Sequence, residues 1–147
     1  MTASGVTLNE LLDQPHLTPE QFVHYFADFK FRLGCTVQSP SAFLASKAGD
    51  CDDFAALASS VLREKGYTTH MVAVFMDQQV HVVCYVTETK SFLDYNYRDK
   101  PHPLVASDGS LKDIAAKVAG YFHSDWLSAS EFVYRKGEPE FVLTDFH

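Results

Sequence analysis

Among the 147 residues, a thiol at Cys51, an imidazole at His81 and a carboxylate at Asp94 are the types needed for nucleophilic attack on a carbonyl. A thiolate enzyme needs a base within hydrogen-bond reach of sulfur, and the base needs a third group to fix its tautomer. Cys51 stands in Gly49-Asp50-Cys51-Asp52-Asp53-Phe54-Ala55, after a glycine and an aspartate suited to capping a helix. At a helix amino terminus the free N–H groups and the positive dipole end favour thiolate over thiol, and they suit an oxyanion. Asp50, Asp52 and Asp53 oppose that effect if their charges face the sulfur. Asp50 is instead occupied if it serves as the cap, and Asp52 and Asp53 suit the first turn of any helix.

His81 lies in a strongly apolar strand, where an imidazole is costly unless something uses or satisfies it. Its plain reading is a core histidine bonded to a backbone carbonyl. Strand register bears on the choice. If residues 80–87 pair with residues 91–96 so that Thr87 opposes Glu88, His81 stands directly across from Asp94; moving the turn on by one residue makes Asp94 its diagonal neighbour on the same face. A three-residue loop would separate them, but such loops favour a glycine that Val86 to Phe92 lacks. Asp94 alone reads equally well as a turn residue. A metal site built from Cys51, His81 and Asp94 is the chemical rival. His81 and Cys84 have ligand-like spacing, yet residues three apart in a strand point to opposite faces, and four convergent ligands are not visible. No metal and no cofactor are expected.

The elements that must position these groups follow from capping and periodicity. Thr18-Pro19-Glu20-Gln21 reads as a helix start, with Phe22, Tyr25, Phe26 and Phe29 forming its apolar stripe. Short helices are expected at residues 7–12 and 40–46, the latter ending in a Lys47-Ala48-Gly49 break. A longer one spans residues 51–65 and stops at Gly66, with Phe54, Leu57, Ala58, Val61 and Leu62 on one face and Asp53, Ser60 and Glu64 on the other. Residues 68–76, 80–87 and 91–96 read as consecutive antiparallel strands. In the middle strand Val80, Val82, Cys84 and Val86 share one face and His81, Val83, Tyr85 and Thr87 the other, so the sheet is covered on both sides. Residues 99–109 read as a loop, residues 111–122 as a helix capped by Ser110, and residues 131–135 with 141–144 as a hairpin. Helices followed by an antiparallel sheet predict an α+β fold in one domain, residues 1–147.

Twelve basic against nineteen acidic side chains, a net charge of −7, removes phosphate neutralisation as a source of affinity, so nucleic acid is a poor partner. Met1 to Leu12 has neither a basic start nor a signal-like apolar run, and no segment reaches membrane-spanning length. A soluble, cytoplasmic protein is the expectation. Cys35, Cys51 and Cys84, odd in number and without a CxxC pair, suggest neither a disulfide framework nor a zinc ribbon.

The segment around Cys51, together with Val80-His81-Val82-Val83 and Leu93-Asp94, resembles the transglutaminase-like cysteine protease superfamily. The resemblance implies a papain-like arrangement, in which a cysteine-bearing helix packs on an antiparallel sheet whose adjacent strands supply histidine and aspartate. It runs from Gln38 to Tyr97, and Gln38-Ser39-Pro40 looks like the family's polar-plus-proline lead-in. Val37 stands where an aromatic residue is often found, so Gln38 alone is named for the upstream oxyanion contribution. The expected function is thiol-dependent acyl transfer on amide bonds of peptides or proteins, as a cysteine peptidase, amidase or transglutaminase-like enzyme. The alternative is a catalytically degenerate peptide- or protein-binding module that uses aromatics such as Tyr95, Tyr97 or Trp126.

Overall fold

The computed structural model describes residues 6–34 and 36–147; Cys35 and residues 1–5 of the amino-terminal segment lie outside the described residues. Side-chain caps set the helix starts. Thr7 accepts from the Glu10 amide at α1 (Leu8–Leu12), Thr18 and Gln21 close the expected reciprocal box at α2 (Pro19–His24), and Ser39 caps α3 (Pro40–Ser46). Asp50 and Asp53 form a reciprocal box at α4 (Cys51–Glu64), as Thr7 and Glu10 also do at α1. Between α2 and α4, β1 (Lys30–Phe31) and β2 (Ala48–Gly49) make a short parallel pair that the sequence reading did not contain.

β3 (Thr69–Met76), β4 (Gln79–Val86), β5 (Ser91–Leu93), β6 (Leu104–Ala106), β7 (Trp126–Arg135) and β8 (Glu138–Phe146) form a sheet in the order β6-β5-β4-β3-β7-β8, with every pairing antiparallel. The fold is therefore α+β, with the cysteine-bearing helix on an antiparallel sheet. Val82, Cys84 and Val86 face the core made with α2, α3 and α4. Val83 and Tyr85 face the opposite core, made with α5 (Leu111–Tyr121). Both sheet faces are covered, as the apolar alternation of β4 requires.

Four expectations are corrected. Residues 99–109 contain β6, an edge strand entered just after Pro103, where a missing backbone donor is tolerated. The strand expected over 91–96 ends at Leu93, because Asp94 caps a 3-10 turn over Tyr95–Tyr97. The last hairpin is longer than expected and turns tightly at Lys136 and Gly137, both with positive φ. In the aromatic stripe of α2, Phe22, Phe26 and Phe29 are buried but Tyr25 is 39% exposed. The helix ends at His24 and the following turns, rather than a continuous helix face, carry the later rings inward.

Candidate active site

Phe43 and Asp53 fill the space beside Gly49, so that a Cβ there would lie 2.7 Å from the Phe43 ring and 2.6 Å from Asp53 Oδ2. The glycine before the cysteine motif is thus needed for close approach. Asp53, expected on the polar face of α4, is instead buried, accepting from the Asp50 amide at 3.0 Å, the Gln38 amide at 2.6 Å and Gln38 Nε2 at 3.0 Å. Gln38 Nε2 also donates to the Ala48 carbonyl at 2.8 Å. Gln38 therefore locks the lead-in segment to the helix start, and its side-chain donor is engaged away from any oxyanion. Asp50 accepts from the Asp53 amide and, at 3.2 Å, from the Gly34 amide. Two of the three motif acids are thus used as structural acceptors.

The third is not. Asp52 Oδ1 lies 3.6 Å from Cys51 Sγ, and that thiol is its only hydrogen-bond donor among the described residues. Burial pushes the Cys51 thiol well above its ordinary pKa, with the Asp52 charge adding to the effect. The Val82 backbone N–H directed at the sulfur works the other way without prevailing. Desolvation and adjacent carboxylate charge thus act against the thiolate that the helix terminus was expected to favour. Burial likewise raises the Asp52 and Asp50 carboxyls.

On the opposite wall, His81 Nε2 meets Asp94 Oδ1 at 2.8 Å, with both side chains almost wholly buried. Cys84 pairs with Leu93, Tyr85 with Phe92 and Val86 with Ser91, which is the second of the two registers considered and makes Asp94 the diagonal neighbour of His81. Asp94 Oδ1 also accepts from the Asn96 amide at 2.8 Å, while Oδ2 is buried with no partner among the described residues. With Nε2 donating to the carboxylate, the neutral ring carries its lone pair on Nδ1. Phe122, at the end of α5, packs edge-on against the imidazole with centroids 4.9 Å apart. Arg98 fastens the turn after Asp94, donating to the carbonyls of Phe29 and Tyr95 while lying over the Tyr95 ring.

Cys51 and His81 line one cleft of about 590 Å³, together with Asp50, Asp52, Asn96 and Tyr134. Asp94 stands behind His81, wholly buried. The convergence is possible because β5 stops at Leu93, leaving the first half of β4 without a strand on that side among the described residues. Phe122 and the thiol contact of Asp52 carried no sequence signal as site features: the first rests on contact across the fold, the second on a rotamer. No group of three or more potential ligands suited to a metal ion occurs among the described residues. Tyr95 and Trp126, suggested as exposed binding aromatics, are buried.

No curated protein matches the chain. The family model for the transglutaminase-like superfamily matches residues 14–129, extending well beyond the segment that carried the resemblance on both sides. With that match over most of its length, the chain belongs to the transglutaminase-like superfamily.

Proposed function

We propose that this protein is a thiol-dependent acyl-transfer enzyme acting on amide bonds of peptides or proteins, with Cys51 as nucleophile, His81 as base and Asp94 orienting the histidine. The observation that carries the reading is the buried His81–Asp94 pair, 2.8 Å long, whose imidazole opens onto the same cleft as Cys51.

Burial favours the neutral thiol, so in this reading attack is a general-base step rather than the act of a preformed ion pair. As Sγ bonds to the amide carbon, its proton passes to His81 Nδ1 and the carbonyl electron pair moves to oxygen. The amides of Cys51 and Asp52 have no intramolecular acceptor among the described residues, and are the donors available to that oxyanion. Collapse breaks the C–N bond, and imidazolium gives its proton to the departing amine. Water or an amine then releases the thioester. Hydrolysis is favoured over transfer to an amine, since transfer requires a site that excludes water.

One observation favours a second reading, a degenerate binding module: Cys51 pairs with Asp52 and its thiol is pushed up by burial. Thiol labelling separates the two. An uncharged amide electrophile such as iodoacetamide is expected to modify Cys51 much faster than Cys35 or Cys84, and His81→Ala should slow Cys51 by about 10²-fold or more if His81 is the base. Equal slow labelling of all three thiols, unaffected by His81→Ala, would favour the binding module instead.

A further inference from the structure

We propose that Asp52 determines the substrate specificity of this cleft, selecting segments that place a cationic group beside the scissile amide within otherwise apolar surroundings. The inference rests on Cys51 being the reactive group of the cleft. Two features of the lining carry it. The first is charge: Asp50 and Asp52 line the cleft and, among the described residues, neither lysine nor arginine does. Asp50 is satisfied by backbone donors, whereas Asp52 has only the weak thiol donor, so its carboxylate is the unspent acceptor at the point of reaction. The second is the rim. Phe31, Leu33, Val80 and Phe141 are 63%, 79%, 51% and 52% exposed, and all four border this same cleft. Apolar groups this exposed around a nucleophile mark a surface that apolar substrate groups cover.

Aromatic walls reinforce the preference for a cation, because ring faces attract positive charge and the half-buried setting limits screening. A cation paired with Asp52 also cancels the carboxylate charge nearest the sulfur. The correct substrate thereby removes the largest of the charge influences that keep the thiol protonated, and a neutral or anionic substrate leaves it in place. Burial already strains Asp52 toward its neutral form, so pairing with a cation is the alternative way for that carboxylate to be accommodated.

The test uses two methanethiosulfonates of opposite charge, the 2-(trimethylammonio)ethyl and the 2-sulfonatoethyl reagents. In each, the thiolate attacks the sulfenyl sulfur, forms a mixed disulfide and releases methanesulfinate. Rates at Cys51 are read by peptide mass spectrometry at low ionic strength and divided by the rates for free 2-mercaptoethanol. The normalised cation-to-anion ratio is expected to reach about tenfold or more in the wild type and to fall with added salt. It should drop to near one in Asp52→Asn and recover in Asp52→Glu, which retains the charge. A wild-type ratio under about threefold, or one that Asp52→Asn leaves unchanged, overturns the proposal. The ratio requires only an accessible thiol, so it stands or falls separately from the His81→Ala result, which tests the acyl-transfer reading.

Discussion

The two walls of the cleft are prepared to different degrees. On the sheet side, His81 and Asp94 are held in one geometry by β4, by the end of β5 and by the turn that Arg98 fastens, and the imidazole is packed by Phe122. On the helix side, Cys51 sits at the start of α4 with its sulfur against Asp52, and burial holds its proton in place. The imidazole–carboxylate pair is preorganised, while the thiol is restrained. An acid-rich helix start can be built firmly, through Asp50, Asp53 and Gln38, and still leave one carboxylate over to act on the thiol. A helix terminus by itself therefore does not make a reactive cysteine; the desolvation and charges around the sulfur decide.

If the sheet side is the prepared half, its largest test is Asp94→Asn. The amide oxygen that would cap the Tyr95–Tyr97 turn is also the one facing His81 Nε2, so the tautomer is kept while the charge that stabilises an imidazolium is lost, and acyl-enzyme formation is expected to fall by about tenfold or more with the thermal midpoint little changed. Full activity in a folded Asp94→Asn protein would show that the pair serves packing alone. The helix side is tested next by Gly49→Ala. A methyl group forced against Phe43 and Asp53 is expected to cost about 1–3 kcal/mol and to lower the thermal midpoint by several degrees. An unchanged midpoint would mean that the helix start yields easily.

The smallest expected effect distinguishes restrained from free thiols through pH. Burial raises both Cys51 and Cys84 in the folded state, Cys84 to about 12. A folded-state pKa above the unfolded one gives stability that is complete below the unfolded value and is lost as pH rises toward the folded value. Denaturant melts should therefore show stability falling above about pH 9, by at most about 1.4 kcal/mol per pH unit for each thiol. Cys51→Ser should shallow that slope. A slope unaltered by this substitution would show that the Cys51 sulfur is not desolvated.

Local signals made much of this molecule legible. The Thr18–Gln21 box, the Asp50 cap and the Gly66 stop are interactions within a few residues of each other, so they are legible without knowledge of any tertiary contact. The alternation in β4 settled which residues share a face, and an even-numbered turn after it kept His81 and Asp94 on one side in either register considered. What lay beyond reach depended on neighbours distant in the chain. β6 exists because β5 offers it an edge, and β1 with β2 because the chain around Lys30 comes to lie against the start of α4. Asp53 turned inward because Gln38, fifteen positions away, supplies two donors that repay its burial. The sequence by itself determined the residue types, their helix and strand placement and the shared face of His81 and Asp94, since these follow from backbone period and local capping. Only the tertiary structure decided that the sulfur is desolvated and faces Asp52, because burial and charge at one atom are set by every element packed around it.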